Sequence, residues 1–303
     1  MNEQLRLIPS RSYSCDATME KGVDPGDHVG AVDPDASNPV GDADLGAAGM
    51  TAAKSFNILF AAVPRSATLR HIWRVVYGPD YPEEADPFSF VTLTDLRRIT
   101  RELGVGRGQT VLDLACGRGG PGLWIARETG ASLVGVDFSQ VAMEQAQQRA
   151  AQLGLSGRAR FLVGDAATTG LPEASVDAAM SVDSFWLFPD KLGAVAEVAR
   201  LLRPGGRFVF TTWEFDVTPP GWPPQLSHHR DLLHEARFML KTYEETPDWR
   251  QRQLAVYAGI LAADKELMAE LGEAASSDII TEARQVPALL GQSRRVLVAA
   301  RRP

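Results

Sequence analysis

Three aspartates, Asp113, Asp137 and Asp165, and a run of glycines starting four residues after the first carry the chemistry that is most legible in this sequence. The stretch 110–122 reads TVLDLACGRGGPG: strand-favouring residues run into clustered glycines, and the helix-period stretch LWIARETG follows at once. A strand, a tight turn and a helix are implied. Glycines at such a turn adopt backbone angles that side chains forbid and let the chain come close to a ligand. The unpaired N–H groups opening the helix face the same ligand. The turn is therefore a nucleotide-type binding loop. Gly117-x-Gly119-x-x-Gly122 fits the dinucleotide fingerprint, with Asp137 near the place of a ribose-binding acid. Asp113 points elsewhere, because its charge inside the strand would crowd a pyrophosphate but suits a ligand bearing a cationic amino group. An amino-acid-bearing nucleoside is favoured over NAD.

The elements that must position these residues alternate, as an open parallel sheet requires. Strands are expected near 110–115, 132–137, 159–164, 176–181 and 206–212, with helices near 120–130, 139–153, 189–202 and 227–236. RFMLKTYEE reads as a sixth strand, the segment from residue 248 to 275 as one long amphipathic helix, and RRVLVAARRP as a closing strand. Ligands of such sheets sit at the carboxyl ends of the strands, where strand order reverses. The three aspartates fall at three successive strand ends.

With these residues in view, the chain resembles the class I S-adenosylmethionine-dependent methyltransferases, and among them the UbiE-like and natural-product enzymes. LDLACGRGG resembles the family's first motif, VGVDFS (134–139) its second acidic strand end, VGDAATTGLP (163–172) its adenine-side motif, and LLRPGGRFVFTTWE (201–214) its fifth-strand signature. The resemblance runs from Thr110 to the C-terminus. It implies an α/β, Rossmann-like, doubly wound seven-stranded sheet whose last strand is antiparallel, with an N-terminal helical lid, and it implies S-adenosylmethionine as cofactor. Asp113, Ala115 and the amides around Gly117 and Gly119 would hold the amino acid part. Asp137 would accept from both ribose hydroxyls, as a two-oxygen acceptor can. Phe138 would stack on adenine, Asp165 accept from its amino group and the Ala166 amide donate to its ring, with Val182 closing the site from the fourth strand.

Upstream, residues 51–107 read as helices rich in rings: Trp73, Tyr77, Tyr81, Phe88 and Phe90. Such rings pack helices in any protein, but clustered beside a sulfonium-binding core they suit a lid over an apolar acceptor. Trp186, Trp213 and Trp222 extend the substrate-binding set. Asp183, after the fourth strand, is a candidate for orienting the acceptor. The long loop after the fifth strand carries Ser227, a candidate helix N-cap, then His228 and His229. His228, or His71 in the lid, is a candidate to take a proton from an acceptor hydroxyl.

Composition bounds the rest. Residues 1–50 hold nine acids and three bases, with little aliphatic periodicity, and read as a disordered acidic tail or a misassigned start. The whole chain carries −7, so the remainder is close to neutral at −1. No basic field exists to grip a nucleic acid backbone. No apolar run approaches the ~18 residues of a membrane span, and no signal peptide is apparent, so a cytoplasmic location is expected. Cys15 and Cys116 are the two cysteines, too differently placed to suggest a disulfide. No CxxC or HExxH spacing suggests a metal. The expected domains are the tail (1–50), the lid (51–107) and a cofactor-binding core (108–303) with a helical insertion near 248–288, which could extend the pocket or pair subunits into a homo-oligomer. Methyl transfer to an apolar or aromatic small molecule, in secondary metabolism, is the expected activity. A cyclase of the same fold acting on a polyene or isoprenoid, or an NAD-dependent oxidoreductase, is the alternative.

Overall fold

Ser66, Thr92 and Ser139 show how local chemistry sets the elements: each accepts a backbone N–H in the first turn of a helix, satisfying a donor that the helix itself leaves unpaired. A computed structural model describes residues 47–303, with side chains from residue 53 onward. The expected tail, with Cys15, lies outside the described residues up to residue 46. The helical segment expected from residue 51 begins earlier, because helix α1 spans Ala47–Ala62. Pro64 sits in a short 3-10 turn after it, and α2 (Ala67–Tyr77) ends at Gly78. A capping box of Thr92 and Asp95 opens α3 (Leu93–Leu103), and left-handed Gly104 closes it.

The core then alternates: β1 (Thr110–Leu114), α4 (Gly120–Thr129), β2 (Ser132–Asp137), α5 (Gln140–Gln152), β3 (Ala159–Val163), β4 (Val176–Val182), α6 (Lys191–Leu201) and β5 (Leu202–Phe215). Next come α7 (Arg230–Glu235), β6 (Met239–Glu245), α8 (Trp249–Ala262), α9 (Asp264–Leu271), α10 (Glu273–Gln285) and β7 (Ser293–Arg301). The seven strands lie in the order β3-β2-β1-β4-β5-β7-β6. β1 to β5 pair in parallel, while β7 runs antiparallel to both β5 and β6. The expected Rossmann-like sheet with its last strand antiparallel is therefore present.

Two expectations need correction. The single helix expected over 248–275 is broken at Ala263 and at Gly272, whose φ of 81° no L side chain adopts easily, so three helices form. The helix expected from Ser227 starts at Arg230, with His229 at the cap position and no side chain capping it.

Side chains alternate along the strands and pack both faces of the sheet. Val111, Ala178, Met180, Val209 and Leu297 face α3 and α4, in a cluster with Leu96, Ile99 and Ile125. Their neighbours Leu112, Ala179, Phe208, Phe210 and Val298 face α6 and α7. A third cluster joins lid and insertion: Leu59, Trp73 and Tyr77 pack with Tyr257, Ile260, Leu267 and Ile279. Glu270 of α9 ties them further, accepting from Ser66 Oγ (2.5 Å) and from the Thr68 amide (3.1 Å) and hydroxyl (2.8 Å) at the start of α2. The N-terminal helices and α8–α10 thus pack together as one helical cap. Among the described residues, no helix is long and apolar enough to cross a membrane.

Candidate active site

Strand order reverses between β1 and β4, and a cavity of about 240 Å³ opens beside their carboxyl ends. Asp113, near the end of β1, lines it, is 1% exposed, and neither carboxylate oxygen has a hydrogen-bond partner among the described residues. Burial, and then the nearby charge of Asp137, push its carboxyl up to about 8, which the facing Gly122 amide offsets only in part. A buried acid held in this way suits a cationic partner. Leaving β1, Ala115 takes a left-handed φ of 55° and Gly117 one of 50°, which turns the chain back over the strand ends. Gly120 opens α4 so close to the strap before α3 that a Cβ there would meet the Ala85 carbonyl oxygen at 2.2 Å.

The strap is latched onto this loop. Asp86 pairs with Arg118 (3.1 Å) and Arg70 (3.4 Å), and Arg149 donates to the carbonyls of Ala85 (2.7 Å) and Arg118 (3.2 Å). From β4, Val182 lines the cavity, and Asp183 follows it with a φ of 56°. The Asp183 carboxylate is taken up internally: Arg295 of β7 approaches it at 2.9 Å, and Oδ2 accepts the Phe90 amide at 3.0 Å. Arg295 also reaches Asp95 (3.0 Å), so one buried guanidinium serves two acids and fixes the strap to the sheet. Asp183, expected to orient an acceptor, lines the cavity, and its carboxylate is engaged in this network.

Aromatic rings wall the remaining cavity. Phe60, Phe88, Trp73, Phe90, Trp213, Trp186 and Trp222 form a chain with successive centroids 4.9–6.5 Å apart. Lys191 holds one end of it, its Nζ donating to the carbonyls of Trp186 (3.0 Å), Phe188 (2.8 Å) and Pro224 (2.7 Å). Burial lowers that amine to about 8. Trp222 is buried and its indole N–H has no partner among the described residues.

The expected site residues divide accordingly. Asp113, Ala115, Gly117 and Val182 line the cavity, as do Trp73, Phe88, Phe90, Trp186, Trp213 and Trp222. Gly119 does not; it caps α4, tucked against Phe161 and Ala146. Asp137, pushed up to about 6 by burial, accepts from the amides of Ser139 and Gly117 (both 2.9 Å), which leaves its other lone pairs for a ligand. Phe138 packs edge-on against Phe56 of α1, Asp165 caps its own turn through the Ala167 amide (2.7 Å), and Ala166 joins a core cluster. These four lie outside the cavity, and α1 packs over Phe138 and Ser139 there, its Asn57 accepting from the Ser139 hydroxyl at 2.6 Å. Tyr77 is committed to the Phe90 carbonyl, and Tyr81 borders a much smaller pocket. His71 and His228 are exposed and outside the cavity, whereas His229 is buried beside Glu214 and edge-on to the stacked rings of Phe185 and Phe210. Neither proposed proton acceptor therefore reaches the site. Missed in the sequence were Phe56 and Phe60 of α1 and Tyr257, Ile279 and Glu282 of the insertion, which line the cavity. The helical spacing of the apolar residues among them marked only a buried face.

The comparisons agree with this geometry. A family model described as a methyltransferase domain matches residues 111–206. Methyltransferase GfsG of Streptomyces halstedii is 36% identical over 131 residues, covering 43% of this chain and 47% of that protein. Sterol 24-C-methyltransferase of Pneumocystis carinii is 34% identical over 115 residues, covering 38% and 30%. The matches thus span less than half the length of these relatives. The solved [4+2]-cyclase SpnF shares the fold, with a TM-score of 0.62 at 23% identity over 69% of this chain and 80% of that one. An orphaned acid at the end of β1, a glycine turn opening α4 and the matched residues 111–206 together identify a class I methyltransferase domain within this chain, for which S-adenosylmethionine is the cofactor.

Proposed function

We propose that this chain transfers a methyl group from S-adenosylmethionine to an apolar or aromatic small molecule, as a cytoplasmic enzyme of secondary metabolism. One observation carries the reading: a single cavity holds an unpaired, buried Asp113 at the glycine turn and a wall of rings beyond it. When bound, S-adenosylmethionine supplies an electrophilic methyl group on a cationic sulfur. Asp113 would pair with its ammonium group, and the turn at Gly117 would give it backbone donors. Rings at the border of the two halves favour a cation over their faces and keep water out. The protein's main contribution is then to hold acceptor and methyl donor close and in line, worth up to about 7–11 kcal/mol in well-oriented systems.

The test is to incubate the purified chain with methyl-labelled S-adenosylmethionine and a panel of apolar alcohols, phenols, amines and polyenes, and to analyse products by mass spectrometry. Labelled product from one class supports the reading. A rearranged but unmethylated polyene would instead identify a cyclase, and no turnover of any class would remove the proposal.

A further inference from the structure

Three hydrogen bonds across the cap have a direction that the donor chemistry fixes. The Trp213 indole N–H can only donate, and its partner at 3.0 Å is Gln253 Oε1. The amide nitrogen of Gln253 is thereby the group facing Tyr257, and it donates to the phenol oxygen at 2.9 Å. That oxygen keeps one hydrogen, which goes to Glu282 Oε1 at 2.8 Å. The relay therefore ends on a carboxylate that is held as an acceptor.

Glu282 lines the cavity with Trp222, Ile279 and Val286. Among the described residues its second oxygen makes no hydrogen bond and no Lys or Arg pairs with it. The charged group beside it is another acid, Asp278, one turn back on α10 at the exposed rim. An acid in an apolar cavity without a counter-charge has the same character as Asp113, but it lies on the helical cap, away from the glycine turn. The orphan indole N–H of Trp222 is a second unused polar group on the same wall.

We propose that Glu282 is the proton acceptor of the reaction and that the methylated molecule presents its nucleophile as an O–H or N–H group donating to it. This rests on the methyltransferase reading of the same cavity. In the step, a lone pair on the oxygen or nitrogen forms the bond to the methyl carbon as the O–H or N–H bond breaks, its proton going to the free Glu282 oxygen and its electron pair staying on the oxygen or nitrogen. The carbon–sulfur pair leaves with sulfur. Tyr257 and Gln253 are positioning residues, since they act through Glu282.

The test uses the full chain saturated with S-adenosylhomocysteine and three probes of one shape, ethylbenzene, benzyl alcohol and benzylamine, with tryptophan fluorescence as the readout. Wild type should bind at least one donor-bearing probe about tenfold more tightly than ethylbenzene. In Glu282→Gln the amide NH2 replaces the free acceptor, so the preference for benzylamine should vanish while ethylbenzene and S-adenosylhomocysteine bind as before. Should that variant fail to fold, Tyr257→Phe carries the test, with the preference reduced. Equal binding of all three probes by wild type, or a benzylamine preference that survives Glu282→Gln, overturns the proposal and leaves the methyltransferase reading intact. Failure of S-adenosylhomocysteine to bind overturns both.

Discussion

Replacing Asp113 by Asn is expected to stabilise the ligand-free protein while it disables the site. The carboxyl is pushed from its ordinary 3.8 up to about 8, by burial first and Asp137 second. A group that holds its proton more tightly in the folded state contributes stability at low pH, and that contribution is lost as pH rises from the unfolded value through the folded one. At pH 7 the wild-type carboxyl must take up a proton on folding, at roughly 1.4 kcal/mol per unit above 3.8, or on the order of 4 kcal/mol. Near pH 5 the same reasoning leaves about 1.5 kcal/mol. Asparagine carries no such cost. The buried amide and the buried neutral acid leave similar polar atoms unpaired, so that term largely cancels. Urea unfolding of both proteins at pH 5, 6, 7 and 8, without ligand, reads the difference directly. It should favour Asp113→Asn and widen with pH. A variant that is less stable at pH 7, or a difference that ignores pH, would refute the idea that Asp113 is an unpaired acid kept for a cation.

Arg295→Met should be among the most damaging substitutions, because it leaves Asp95 and Asp183 buried without their cation; a loss of about 3–5 kcal/mol in unfolding free energy is expected, and a loss under about 1 kcal/mol contradicts the network. Gly120→Ala puts a Cβ 2.2 Å from the Ala85 carbonyl oxygen, so the strap must move; stability should fall by about 1–3 kcal/mol and S-adenosylhomocysteine should bind more weakly in calorimetry. His71→Ala and His228→Ala should change unfolding free energy by less than about 0.5 kcal/mol and leave the S-adenosylhomocysteine Kd unchanged, since both side chains are exposed and outside the cavity.

The sheet and its glycine turn were legible because a parallel sheet demands continuous apolar strands, and because the turn at Gly117 needs a residue that tolerates positive φ. Asp113 was legible for the same local reason, as an acid in an otherwise apolar strand. Arg295 was not, since nothing in RRVLVAARRP signals a buried arginine whose acids lie 200 and 112 positions away. Of two adjacent histidines, periodicity could not say that His229 would be the buried one. Glu282 sits in an amphipathic helix rich in acids, where solvated and cavity-facing carboxylates look alike until Tyr257 and Gln253 are brought against them. The residues expected at the adenine kept their strand ends, but α1, whose apolar residues marked only a buried face, packs over Phe138 and Ser139.

The central claim, that Asp113 and the glycine turn form the ammonium end of an S-adenosylmethionine site, is tested most directly by calorimetric titration with S-adenosylhomocysteine at pH 7. Wild type and Asp113→Asn should be titrated in two buffers of different ionisation enthalpy, with NAD as control. The account predicts micromolar-range binding by wild type, release of a proton as Asp113 ionises against the ligand, loss of both in the variant and no binding of NAD. Equal binding by the variant, binding without proton release, or binding of NAD in place of S-adenosylhomocysteine would contradict it.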